Sequence, residues 1–271
     1  PAHPPPAHPP PALPRPEPDR MVIRPAPPDL RPYVLGWAGY RAAEAEPPPG
    51  RMLPLNAATL IIDLTGLDPI VTGPRSVASA EATWRHGVAV GLTPAGLSAL
   101  TGTPMRELVG ATVCLEDLLG ARAAELADRL AAAPTWAARL GVLERRLAAW
   151  LCPSPGPGPG SDALIMHAWR LLQEPAGRLT IDALAGALGV SRRYLELGFR
   201  RVVGLSPKTV ARIARFQRAV DTLRRPSATL GEAAACGYAD QSHLTREVRA
   251  MAGMTPKQLF ALVQYTDRVT G

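Results

Sequence analysis

Apolar residues recur at two different spacings along this chain, and the change falls near residue 93. Before it they come as short runs broken by Gly and Pro. Tyr33–Tyr40 alternates loosely and is rich in aromatics, Thr59–Leu64 is a β-branched run closed by Gly66, and Ile70–Thr72 is closed by Gly73-Pro74. Trp84–Leu92 alternates around glycines, and Pro47-Pro48-Pro49-Gly50 reads as a loop. Short apolar runs with Gly/Pro punctuation predict strands of a small β-barrel or sandwich. From Thr93 the period lengthens. Thr93-Pro94 caps a helix, since Pro is tolerated at the first helical position. Glu116–Ala132 and Thr135–Leu151 carry Leu and Ala three and four residues apart, which puts each set on one helix face and predicts a helical hairpin.

The last hundred residues contain a repeat of period 49. Thr180 returns as Thr229, Ala185 as Ala234, Leu195 as Leu244, Phe199 as Val248, and Gly204, Ser206, Pro207 and Lys208 as Gly253, Thr255, Pro256 and Lys257. Each copy reads as a short helix, a glycine turn and a longer helix: Thr180–Leu188 then Ser191–Val203, and Thr229–Cys236 then Asp240–Ala252. Thr180 and Thr229 suit N-caps, and the turn glycines suit a positive φ after a helix end. This is the sequence form of two helix-turn-helix units. Pro207–Arg224 joins them as one helix that Pro226 ends. Ser161–Gln173 precedes them as a helix with Ser161 as N-cap and Leu164, Ala168, Leu171 and Leu172 facing inward. A 49-residue period also lies near that of HEAT-type repeats, but two copies are fewer than the three a solenoid needs.

The run Gly237-Tyr238-Ala239-Asp240-Gln241-Ser242-His243-Leu244-Thr245-Arg246, followed by Gly253-Met254-Thr255-Pro256, resembles the signature of AraC/XylS-type transcription regulators. The resemblance covers about Ser161–Leu262. A weaker one, on Val90–Gly96, Glu107-Leu108 and Leu115–Gly120, extends to the N-terminal domains of some of these regulators, which sense effectors or dimerise. The fold expected is therefore an α+β N-terminal domain (β-barrel or sandwich plus helical hairpin) followed by an all-α double helix-turn-helix domain. Double-stranded DNA is the implied partner, with RNA polymerase, a small-molecule effector and a second copy of the chain beside it.

Composition sharpens the division. Residues 1–28 hold 13 of the 31 prolines and almost no large apolar residue, which predicts a disordered tail. Residues 153–160 alternate Pro and Gly, which predicts a linker that lets two domains, 29–152 and 161–262, move relative to one another. Residues 263–271 read as a tail. Net charge is +7, and all of it lies after the linker. Ser161–Gly271 has 16 Lys+Arg against 9 Asp+Glu, whereas the preceding part has 14 of each. A basic domain of this kind is the footprint of a nucleic-acid binder. Cys114, Cys152 and Cys236 form no CxxC pair, which points to a reducing compartment rather than a disulfide scaffold or zinc site. With no signal-peptide pattern and no apolar run of membrane-spanning length, the cytoplasm is the expected location.

Catalytic chemistry finds little support. Of the five histidines, His3 and His8 lie in the Pro-rich tail and His167 and His243 in the helical part, leaving His86 alone among the strands. No metal site, cofactor or enzymatic activity is expected. Trp37, Trp84 and His86 are the candidates for touching an effector. In a helix-turn-helix the exposed side of the second helix reads the major groove. The candidate base contacts are Arg192, Arg193, Glu196 and Leu197 in the first unit, and Gln241, Ser242, Thr245 and Arg246 in the second. Arg pairs with guanine, Glu accepts from cytosine and Gln suits adenine. Leu197 stands where the resembled family often has a polar or basic residue. Gly198 costs the helix up to ~1 kcal/mol, so the first unit is expected to be the weaker reader. Candidate phosphate contacts are the helix starts at Thr180 and Thr229 and the cations Arg200, Arg201, Lys208, Arg249 and Lys257. A protein-interaction adaptor, whose basic helical domain docks on an acidic partner, stays open as the alternative.

Overall fold

The computed structural model describes residues 22–41, 51–80, 86–151, 161–174, 179–225 and 227–270. Residues 1–21, the Pro47–Gly50 loop, Trp84, Pro226 and the linker 153–160 lie outside them.

The N-terminal half is built on an antiparallel sheet. Its strands are β1 (Val22–Pro25), β2 (Val34–Arg41), β3 (Arg51–Met52), β4 (Ala58–Asp63), β5 (Ile70–Thr72), β6 (Ser79–Ala80) and β7 (His86–Leu92). After α1 (Pro94–Thr101) comes β8 (Thr112–Cys114). Six strands form one sheet in the order β1-β2-β7-β4-β5-β8, and β3 and β6 pair as a separate ribbon. Leu60, Ile62, Val71, Val88 and Val90 are fully buried, and their register across β4, β5 and β7 puts all five on one face of the sheet, which forms the core side. Glycines let other elements come close. A Cβ on Gly39 would lie 2.5 Å from the Trp136 ring, and one on Gly73 would lie 1.7 Å from the Leu108 carbonyl oxygen. β1 lies within the stretch whose prolines predict a disordered tail. Val22-Ile23-Arg24 pairs with β2 all the same, and Pro25 sits at the sheet edge where no amide is needed.

Three helices follow: α2 (Leu115–Leu119), α3 (Ala121–Ala132) and α4 (Trp136–Leu151). Gly120, at φ +57°, splits what periodicity reads as one helix from Glu116. Leu126, Leu130, Leu143 and Leu147 are each at most 1% exposed. They pack into their own domain rather than offering a surface to a second chain.

The C-terminal half is entirely helical: α5 (Ser161–Gln173), α6 (Ile181–Leu188), α7 (Arg192–Val202), α8 (Pro207–Arg224), α9 (Leu230–Ala234), α10 (Gln241–Ala252) and α11 (Pro256–Thr270). α5 begins at Ser161 itself and buries Ile165, Ala168, Trp169 and Leu172, whereas Leu164 and Leu171 are half-buried. Its inward face is thus rotated from the one the leucines alone suggest. α11 continues into the stretch read as a tail, where Val263 is buried and the Gln264 amide donates to the main-chain carbonyls of Leu223, Arg224 and Arg225 at 2.7–3.1 Å. Gln264 thereby caps the carbonyl end of α8.

The two halves, expected to move independently about the linker, are joined by buried polar contacts. The Asn56 amide donates to Gln173 Oε1 at 3.1 Å and to the Val210 carbonyl at 3.4 Å, while Trp169 Nε1 donates to the Asn56 carbonyl at 3.3 Å. Two arginines of the N-terminal half reach the C-terminal ends of the two longer helices of the repeat. Arg106 donates to the Arg201 carbonyl (3.2 Å) near the end of α7, and Arg51 to the Ala252 carbonyl (2.6 Å) at the end of α10. Cations at helix C-termini complement the exposed carbonyls there.

Candidate nucleic-acid interface

The first unit is α6, a turn and α7. Thr180 caps α6 by accepting from the Ala183 amide at 3.1 Å, and Gly189 ends it at φ +65°. Ser191 caps α7 by accepting from the Tyr194 amide at 3.1 Å. Leu195 and Phe199 are fully buried, leaving Arg192, Arg193, Leu197 and Arg200 exposed and Glu196 half-buried along the opposite side. Leu197 is 58% exposed, an apolar residue in the middle of a polar face. Gly198 is explained by packing. It is buried where α7 crosses α5, and a Cβ there would lie 2.2 Å from Ile165 Cδ1. α7 runs unbroken from Arg192 to Val202, so glycine secures a close helix contact and the helix survives its poor propensity.

The second unit repeats this with other chemistry. Thr229 and Glu232 form a reciprocal capping box on α9. The Thr229 hydroxyl accepts from the Glu232 amide at 3.2 Å, and the Glu232 carboxylate accepts from the Thr229 amide at 2.8 Å. The bonds from the Thr229 amide and hydroxyl, with Arg225 nearby, hold the Glu232 carboxyl below the usual carboxylate range. The start of α9 is thus already occupied by a carboxylate, which takes the Thr229 amide proposed for a phosphate. Gly237 makes the turn at φ +111°, and Asp240 caps α10 by accepting from the His243 amide at 2.6 Å. Leu244 and Val248 are buried. Gln241, Ser242, Arg246 and Arg249 are exposed, and the half-buried Thr245 donates its hydroxyl to the Gln241 carbonyl at 2.8 Å.

The other candidate cations divide into two groups. Arg200, Lys208, Arg249 and Lys257 are exposed. Arg201 is drawn to Asp162 on α5, and Arg192 pairs with Asp182 at 3.3 Å. Between the two units lies a cleft of about 400 Å³ that the sequence reading does not find. α8 supplies its floor through Lys208, Ala211, Arg212 and Arg215, and Arg192, His243 and Glu247 stand on its sides. Spacing does carry a trace of it. Positions 208, 211, 212 and 215 fall on one helical face, obscured because α8 reads only as a connector.

Two of the three effector candidates fall among the described residues. Trp37 is 4% exposed, inside the core. His86 is half-buried and meets Trp136 edge-on at 5.4 Å, so its ring has a packing partner. Trp84 lies outside the described residues. A separate cavity of about 470 Å³ opens between residues 27–33 and α4, lined by Pro27, Leu30, Tyr33 and Leu151 with the carboxylates of Asp29 and Glu144. Among the described residues no group of three or more His, Cys, Asp or Glu could hold a metal ion, and no helix is long and apolar enough to cross a membrane.

This architecture, two capped helix-turn-helix units sharing one long helix, defines a class. Residues 184–261 match the model of a helix-turn-helix domain family. The chain is 38% identical over 81 residues to the F1 operon positive regulatory protein of Yersinia pestis. That match spans 30% of this chain and about a quarter (27%) of the relative's own length. Solved structures with a similar trace include a transcriptional regulator with an AraC-type DNA-binding domain from Chromobacterium violaceum, at 28% identity, 38% of this chain, 95% of that chain and TM-score 0.36. They also include ToxT from Vibrio cholerae, at 11% identity, 78% and 96% coverage and TM-score 0.45. Residues 184–261 thus form a helix-turn-helix domain of the AraC type.

Proposed function

We propose that the chain is a sequence-specific DNA-binding transcription regulator. The observation that carries this is the pair of N-capped helices, α7 and α10, each with a buried apolar side and an exposed polar one. In this reading Arg193, Glu196 and Leu197 read bases in one major groove and Gln241, Ser242 and Arg246 in the next, with Arg192 and Thr245 flanking. Arg193 or Arg246 can make two hydrogen bonds to a guanine, and Gln241 two to an adenine. The exposed Leu197 is suited to the methyl group of thymine, so its lack of polarity is a preference rather than a defect. Arg200, Lys208, Arg249 and Lys257 contribute position and affinity through phosphates.

The N-terminal half is proposed to control the DNA-binding half, through a ligand or through association of two chains. Its support is the grip of Arg51 and Arg106 on the carbonyl ends of both reading helices. A change in that half is felt at both reading helices together. The cavity beside α4 is of a volume ordinary for small-molecule sites.

Titration of the full chain against duplex DNA over a range of salt concentrations tests the proposal. Neutralising Z phosphates gives a log–log slope of about −0.9Z. The expected result is a steep negative slope, with one subset of a random duplex library bound well above the rest. A slope near zero on every duplex, with retention on an acidic polypeptide, would favour the adaptor reading instead.

A further inference from the structure

The cleft between the two units contains more charge than base reading accounts for. Four cations, Arg192, Lys208, Arg212 and Arg215, face two carboxylates, Asp182 and Glu247. Each carboxylate holds an arginine, but the two pairs differ in kind. Arg192 and Asp182 are an exposed single contact at 3.3 Å. Arg212 and Glu247 make a two-pronged contact, Nε to Oε2 at 2.9 Å and Nη2 to Oε1 at 3.2 Å, with the Glu247 side chain only 19% exposed. This fork crosses from the joining helix to α10. Arg215 lies over the ring of the turn residue Tyr238, 5.7 Å from its centre, which fixes a second guanidinium beside the first.

Glu247 is a poor choice for a helix that enters DNA. It directly follows Arg246 on the reading helix and stands one turn beyond His243, so a bound duplex brings phosphates toward it. An arginine fork fits a carboxylate and a phosphate with the same geometry. Between two neighbouring major grooves on one side of a duplex, the surface turned toward the protein is the intervening pair of phosphate backbones. The α8 stripe lies in the cleft between the two units, with Arg192 on one side and His243 and Glu247 on the other.

We propose that this cleft is a phosphodiester site for the backbone between the two grooves, built by Lys208, Arg212 and Arg215, in which Glu247 holds the Arg212 fork as an internal competitor of the DNA phosphate. The site rests on the regulator reading above. Its effect is to weaken binding to all sequences alike, so that base contacts decide residence.

The test uses the full chain and a random-sequence duplex, on which base readout plays no part. Glu247→Gln keeps the shape of the side chain and removes its charge. It is expected to tighten random-duplex binding about two- to five-fold at low salt and to steepen the log–log salt slope by about 0.9, one added phosphate. In Arg212→Ala/Glu247→Gln the slope returns to that of the unmodified protein, because the freed cation is gone. Arg212→Lys/Glu247→Gln retains the steeper slope. An unchanged slope in Glu247→Gln, or a steeper slope that persists without Arg212, would overturn the competitor. Failure of the unmodified chain to bind any duplex would instead overturn the regulator reading, and the cleft site with it.

Discussion

Trp169→Ala is expected to destabilise the protein by about 3–5 kcal/mol, the range for deleting a large buried aromatic side chain. Trp169 is 1% exposed on α5, and its indole nitrogen also donates to the Asn56 carbonyl across the junction of the two halves. The substitution therefore creates a cavity and strips a buried carbonyl of its donor. Trp169→Phe separates the two effects. It retains most of the apolar contact and loses the hydrogen bond, for a cost of about 1–3 kcal/mol. Urea unfolding of the three proteins checks this. Equal midpoints for Trp169→Phe and the unmodified chain would mean that the bond to Asn56 contributes nothing. Trp169→Ala should also loosen the junction, so limited proteolysis should cut it faster between the halves.

The second large effect is on base discrimination. Gln241→Ala and Arg246→Ala are each expected to lose about 1–3 kcal/mol of preference for the selected site over random duplex, the value of a two-bond base contact. Arg193→Ala should do the same in the first unit. Arg249→Ala, at an exposed position later on α10, should weaken both duplexes about equally and flatten the salt slope by about 0.9. Parallel affinity measurements on the two duplexes decide the sorting. Equal losses on both for all four variants would show that these helices grip the backbone and do not read sequence.

The helical half was legible in the sequence because its signals are local. Thr180, Ser191, Thr229 and Asp240 cap within three residues of themselves, and Gly189 and Gly237 take positive φ as their place in the repeat requires. α8 runs from Pro207 to Arg224 as its flanking residues indicate. What escaped was set by distant partners. β3 and β6 have two residues each and exist by pairing with one another, so no periodicity marks them. β1 is carried by its register with β2 against a composition that speaks for disorder. Gly198 looks like a weakness until Ile165, thirty-three positions earlier, is seen against it. Of the site, the outward faces of α7 and α10 were legible from the buried Leu195, Phe199, Leu244 and Val248. The cleft was not, because it appears only when α8 lies between units that are distant in sequence. Trp37 and His86 are aromatic and polar enough to suggest a ligand, yet the sheet and Trp136 already use them.

In the proposed reading, one chain covers two neighbouring grooves with two unlike helices. α8 has 18 residues, about 27 Å at 1.5 Å per residue, and successive major-groove faces lie about 34 Å apart. The joining helix with part of each flanking unit spans that distance. Hydroxyl-radical footprinting of the full chain on its selected duplex, at a concentration where it sediments as a monomer, is the most direct measurement. Two protected patches about one helical turn apart are expected on one side of the duplex, over a site that is not internally palindromic. Protection confined to a single groove, or a palindrome within one turn, would contradict it.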